Sequence, residues 1–216
     1  MEITKEQQLQ VEKYLKNKDF DFIDLKVEVL DHIISDIESL RIKKYSFENA
    51  FKITVLKWEK HFKETSSFYF GLYYSESKIV VKKAVKIFKP FYFLYLAAYI
   101  LPVAFLTFVP IQVAESSADF INNFLFSFSA LLFCYVIFIF VKTVRSGITT
   151  TYRFILKTQY AGLLLLIMGV VVGVVKENGE VNPVFTGFAS GGFAVVFICH
   201  YFYKEHLEAM KKYKIL

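Results

Sequence analysis

Two stretches decide the fold: residues 90–113 (PFYFLYLAAYILPVAFLTFVPIQV) and residues 120–141 (FINNFLFSFSALLFCYVIFIFV). A helix needs about 20 predominantly apolar residues to cross a hydrocarbon core about 30 Å thick, and both stretches are longer than that. Residues 154–175 and 183–203 have similar length and composition. The sequence therefore predicts an all-α integral membrane protein in which a four-helix transmembrane bundle follows a polar N-terminal part.

The composition supports this division. The 216-residue chain is 55% hydrophobic and contains 25 Phe, which excludes a disordered or collagen-like chain. Residues 1–89 carry 17 Lys or Arg and 14 Asp or Glu, whereas long stretches after residue 90 carry no charge. Cys134 and Cys199 both lie inside apolar runs, so the sequence contains neither a disulfide framework nor a CxxC motif.

The basic residues predict the topology. Residues 111–119, between the first two apolar stretches, contain no Lys or Arg, whereas the next connection contains Lys142, Arg145, Arg153 and Lys157. Lysines also precede the first span and follow the last one. Because Lys and Arg favour the cytoplasmic side, we expect four crossings with both termini in the cytoplasm. Residues 1–18 lack an apolar signal sequence, so the first span is expected to direct insertion.

We expect four segments along the chain. Residues 1–64 form a cytoplasmic three-helix domain, residues 65–89 an aromatic and basic amphipathic connector, residues 90–204 the four-span membrane domain and residues 205–216 a basic cytoplasmic tail.

The three N-terminal helices are predicted from caps and apolar spacing. Thr4 and Gln7 have the spacing of a capping box, and Ser46 is placed to cap the third helix. The second helix is expected to bury a stripe of residues spaced by three or four positions. This stripe comprises Ile23, Val27, Leu30, Ile34 and Ile37.

Residues 4–64 resemble a known family. A first helix ending in VEKYL leads to a second helix written EVLDHIISDIESL, and YSFENAF opens the third. This arrangement resembles the HAAS-type N-terminal domain of bacterial membrane proteins. The resemblance implies a cytoplasmic helical domain that precedes transmembrane helices, often in proteins encoded beside PadR-type regulators, and it implies a role in regulatory signalling in the bacterial cytoplasmic (inner) membrane.

The connector combines aromatic and basic residues. The segment TSSFYFGLYYS (residues 65–75) is rich in rings that favour the headgroup region of a bilayer. The segment after it alternates lysines with apolar residues, which favours a helix on an anionic inner leaflet; the alternative is that these lysines only set the topology. The predicted membrane-surface residues are Lys78, Lys82, Lys83, Lys86 and Lys89.

Small residues in the last two spans predict close helix packing. Gly169 and Gly173 are four residues apart in the third span, and Gly187 and Gly191 are four apart in the fourth. Such pairs let helix backbones approach closely in a membrane. We expect spans three and four to form an antiparallel hairpin; alternatively, one glycine pair mediates homodimerisation.

The sequence offers little catalytic chemistry. It contains no GxSxG, P-loop or GxGxxG motif, and the residues around Cys199, His200 and His206 have no recognised metal-ligand spacing, so we expect no enzymatic activity, cofactor or metal. The acidic residues dilute the lysines of residues 1–89, which argues against direct nucleic-acid binding. The middles of the spans lack Asp, Glu, Lys and Arg, which disfavours a stand-alone transporter.

Two functions therefore remain open. The first is a non-enzymatic regulatory protein whose cytoplasmic domain binds a protein partner or a second copy of the chain. The second is a membrane-embedded subunit of a transport or lipid-handling assembly.

Overall fold

The computed structural model describes residues 3–214 and is mainly helical. The helices are α1 (Lys5–Asn17), α2 (Ile23–Ile42), α3 (Phe47–Phe62), α4 (Lys78–Phe108), α5 (Glu115–Arg145), α6 (Thr151–Gln159), α7 (Leu163–Val172) and α8 (Pro183–Lys214). The strands are β1 (Glu64–Ser67) and β2 (Gly71–Ser77). Within residues 3–214, four helical segments are long and apolar enough to cross a membrane, namely α4, α5, α6 with α7, and α8. The predicted all-α class with four long apolar helices is confirmed.

The described residues form two compact units. The first unit contains residues 3–86, 148–154 and 206–214, and the second contains residues 87–147 and 155–205. The connection after α5 and the end of α8 thus belong with the N-terminal helices. Nothing in the sequence predicted this grouping, because it depends on pairings between segments that are far apart in the chain.

The first unit buries apolar residues between its N-terminal helices. The capping box is present, since Thr4 Oγ1 accepts from Gln7 N at 3.3 Å and Thr4 N donates to the Gln7 side chain at 3.0 Å. Ser46 Oγ accepts from Asn49 N at the start of α3. The buried apolar side chains of these helices are Val11, Leu15, Leu25, Val29, Ile33, Ile37, Phe47, Ala50 and Trp58.

The expected buried stripe of α2 is largely wrong. Of its five members only Ile37 is buried, and Val27 is exposed. The helix buries Leu25, Val29 and Ile33 instead. Both sets recur at helical spacing, so periodicity alone could not decide which set faces the core. As a result, α2 carries a second apolar stripe that its own unit leaves partly uncovered.

Residues 64–77 form a β-hairpin, which the sequence interpretation did not include. Glu64 pairs with Ser77 and Ser66 with Ser75 in an antiparallel ribbon. The turn reverses at Gly71, whose φ of +83° lies in the left-handed region that glycine adopts readily. Thr, Phe and Tyr in this segment favour extended backbone, which explains why strands form in the first part of the predicted aromatic and basic connector.

In the second unit, the third and fourth apolar helices lie close together. A Cβ on Gly169 would lie 2.6 Å from Ala189 N and 2.9 Å from Phe185 O, so the backbones of α7 and α8 are nearly in contact. The third predicted span is not one regular helix, because a 3-10 turn (Tyr160–Gly162) separates α6 from α7. It also ends at Val172, where Gly173 takes a φ of +92°.

Two connections of the second unit pair with each other. Val113 N donates to Gly179 O at 2.9 Å, and Val181 N donates to Ile111 O at 3.0 Å. The first predicted span therefore ends at Phe108 rather than near Val113, since residues 111–113 form these bridges instead of continuing the helix.

Candidate functional site

The predicted membrane-surface lysines do not have equivalent surroundings. Lys78, Lys82 and Lys86 are exposed and lie four residues apart, so they share one face of α4. Lys83 points elsewhere: its Nζ lies 3.2 Å from Glu28 Oε2 and 3.2 Å from the main-chain oxygen of Asp24. Lys89 is also exposed, in the part of α4 that belongs to the second unit.

A groove on the first unit runs along α1 and α2. Leu9 and Val27 are exposed within it although both are apolar, and Leu30 is partly exposed. Its rim is polar and mainly basic: it consists of Glu12, Lys13, Lys16 and Lys26. An apolar floor with a positive rim is suited to a partner with apolar and acidic side chains.

A buried polar cluster lies elsewhere in the first unit. Asp24 Oδ1 accepts from Thr151 N at 2.9 Å, and Ile23 N donates to Thr149 O at 3.1 Å. These bonds hold the first turn of α2 against the segment that opens α6. Asp24 lies in the first turn of α2, and no sequence motif links it to residues 148–154.

The end of α8 completes this cluster. His206 is fully buried, and its Nδ1 lies 2.9 Å from Thr150 Oγ1. Thr150 Oγ1 also accepts from Arg153 N at 3.0 Å. Asp24 Oδ2 and Thr151 Oγ1 are buried without a hydrogen-bond partner among the described residues. The cluster is therefore a close-packed polar junction of three chain segments.

The four glycines predicted to pack helices do not form one shared contact. Gly169 lies against α8, as described above, but Gly187 lies against Tyr99 O and Val103 of α4. Gly191 also faces α4, where a Cβ would be 3.5 Å from Tyr99. Gly173 follows α7 and lies near Asn122, whose Oδ1 accepts from Val174 N at 3.0 Å. Gly192, which was not among the predicted residues, lies against Leu166 of α7.

The Cys and His residues near the end of the fourth span are not gathered together. Cys199 is buried, whereas His200 is exposed with its Nδ1 2.6 Å from Tyr135 Oη. His206 belongs to the polar cluster of the first unit. Over residues 3–214, no three His, Cys, Asp or Glu side chains are grouped closely enough to hold a metal ion.

The four long apolar helices define a multi-pass membrane protein. No protein-family model matches the chain, and no curated protein or solved structure is similar to it.

Proposed function

We propose that this chain is a non-enzymatic regulatory protein of the bacterial inner membrane whose N-terminal helices bind a protein partner in the cytoplasm. The observation that carries the proposal is the groove of α1 and α2. Leu9 and Val27 expose apolar surface there, and three lysines surround it. Apolar positions that a monomer leaves in water beside a charged rim are typical of an interaction site.

The cytoplasmic placement follows from the distribution of basic residues and from the resemblance to HAAS-type proteins. Reporter fusions test it directly: fusions at Ser117 and Glu180 should report the outside, and a fusion at Gly147 the cytoplasm. The reverse result at any of these positions would contradict the topology.

The charges of the groove specify the partner's chemistry. Lys13, Lys16 and Lys26 outnumber Glu12, so an acidic amphipathic helix would complement both the rim and the apolar floor.

Site-specific crosslinking in cells tests the partner hypothesis. A photoreactive residue at Val27 in the full chain should form an adduct with a single protein, which mass spectrometry then identifies. The same residue at Leu56, an exposed apolar position on α3, is the matched control. Adducts of equal yield at both positions, or an adduct that persists when Leu9 is changed to Asp, would contradict binding in the groove.

An apolar groove between α5 and α7 favours the second candidate, a membrane subunit that handles lipid. Its volume is about 350 Å³, within the usual range for ligand pockets of about 300–1,000 Å³. Its walls come from Phe133, Val136, Ile137, Phe140, Tyr160, Leu163, Leu164 and Ile167. If it holds an acyl chain, a photoactivatable lipid should label the full-length protein there, and Ile137→Trp should reduce that labelling.

A further inference from the structure

The β-hairpin has an irregular tip that carries large apolar side chains. Ser66 pairs with Ser75 but Ser67 pairs with Gly71, so residues 72–74 form a bulge with no partner in β1. The exposed fractions are 80% for Phe68, 84% for Leu72 and 94% for Tyr73. A tip of this kind would be unfavourable in water, because each side chain keeps its apolar surface hydrated.

The charge of the hairpin is confined to its base. Glu64 and Glu76 lie at the end of the ribbon that joins α3 and α4. Residues 65–75 contain no Asp, Glu, Lys or Arg. The tip is therefore free of the charged groups that would resist transfer into a lipid headgroup region.

One contact within the first unit joins the hairpin to the start of α6. Phe70 is buried, and its ring centroid lies 5.3 Å from that of Phe154 in an edge-to-face arrangement. Phe154 is the first residue of the third predicted span, on the side where Lys and Arg indicate the cytoplasm. The hairpin therefore packs on the start of α6, which we expect to enter the bilayer from the cytoplasmic side.

We propose that the hairpin of residues 64–77 inserts its tip into the inner leaflet, with Phe68, Leu72 and Tyr73 at the boundary between headgroups and acyl chains. Phe70 holds the tip against Phe154, while the other three side chains enter the lipid. Aromatic residues are favoured at this depth because ring and hydroxyl each find a suitable solvent. The proposal is independent of partner binding in the groove of α1 and α2.

Fluorescence of the full-length protein in lipid nanodiscs tests the insertion. In a Cys134→Ser background, in which Cys199 is buried, an environment-sensitive fluorophore is attached at Leu72→Cys. A matched protein carries it at Leu56→Cys on α3, where the wild-type side chain is 68% exposed. Nitroxide groups on the acyl chains of the nanodisc lipids serve as quenchers.

We expect a blue-shifted emission from the label at position 72 and several-fold stronger quenching than at position 56. Equal quenching at the two positions, or no quenching at position 72, would overturn the proposal. Because Leu72 lies on the surface, its replacement should leave the thermal unfolding temperature unchanged, so a folded protein is available for the measurement.

Discussion

Asp24 Oδ1 accepts a 2.9 Å hydrogen bond from the backbone N–H of Thr151, which lies 127 residues later in the chain. Thr151 is the first residue of α6, so its N–H is one of those that have no acceptor within the helix. The negative charge of Asp24 also suits the positive end of the α6 dipole. A side chain at the start of α2 thus caps a helix that leads into the third apolar span.

Changing Asp24 to Ala should destabilise the first unit. The substitution leaves a buried N–H without a partner, which costs about 1–3 kcal/mol. Thermal unfolding in detergent, followed by hydrogen exchange of residues 148–154, measures the effect. Asp24→Asn retains an acceptor oxygen and should lose less stability than Asp24→Ala. If both variants unfold like the wild type, the hydrogen bond contributes nothing to stability.

The Thr150 hydroxyl is expected to be essential for the packing of His206. Its oxygen contacts both His206 Nδ1 and Arg153 N, so Thr150→Val leaves two polar groups without that partner. Each lost hydrogen bond costs about 0.5–1.5 kcal/mol. Thr150→Ser keeps the hydroxyl and is the matched control. Unfolding temperatures should fall clearly for the Val variant and little for the Ser variant; the opposite order would contradict this role.

Asp36 should make the stability of the first unit depend on pH. Burial alone would raise its pKa, but hydrogen bonds from Lys57 and Trp58, with the nearby His32, lower the pKa below its usual value. The folded state therefore binds fewer protons at Asp36 than the unfolded state does. The resulting stabilisation is present above the unfolded pKa of about 3.9 and is lost as the pH falls through the lowered folded pKa.

Asp36→Asn removes this titration. The thermal unfolding temperature of the Asp36→Asn variant should fall less than that of the wild type between about pH 6 and about pH 3. Lys57→Gln should give an intermediate slope, because the Trp58 hydrogen bond at 2.8 Å remains. Parallel pH profiles for the wild type and Asp36→Asn would show that the pairing does not affect folding.

Local patterns were sufficient to predict the apolar helices and their caps. The length of an apolar run and the spacing of Thr4 and Gln7 act within a few residues, so neither depends on the remainder of the chain. Local spacing could not decide which side of α2 is buried, the side with Val27 or the side with Val29. Both stripes fit a helix equally well, and only the packing of α1 and α3 selects one.

The polar cluster could not be predicted, because its members are far apart in sequence. Asp24 has the spacing of a helix start, and Thr150 and His206 belong to no recognised motif. The hairpin could have been predicted from the sequence, because residues 65–75 combine strand-favouring Thr, Phe and Tyr with a single glycine at the turn. The aromatic content favoured a membrane-surface interpretation, which obscured this pattern.

The glycines of α7 and α8 should differ sharply in their tolerance of a methyl group. In Gly169→Ala the added Cβ would overlap the backbone of α8, which must move away; overpacking of this kind costs about 1–3 kcal/mol. Gly191→Ala adds a Cβ at an ordinary 3.5 Å from Tyr99. In detergent, Gly169→Ala should therefore unfold at a lower temperature than Gly191→Ala. Equal stability of both would indicate that α7 and α8 are not in close contact in the membrane.

The exposed lysines of α4 should contribute to the binding of anionic lipid. Lys82 and Lys86 are exposed on one helix face, and a basic residue near an anionic surface is worth about 1 kcal/mol. The double change of Lys82 and Lys86 to Gln is therefore expected to weaken retention of phosphatidylglycerol by roughly 2 kcal/mol at low salt. Mass spectrometry of the purified full-length protein measures the retained lipid.

Lys83 provides the control for this prediction, since Glu28 and the Asp24 carbonyl already engage its ammonium group. Lys83→Gln should leave lipid retention nearly unchanged but lower the unfolding temperature, because two contacts within the first unit are weakened. Added salt should reduce retention by the wild type more than by the double variant, since screening acts on exposed charges. If the double variant retains as much anionic lipid as the wild type at every salt concentration, these lysines serve only to set the topology.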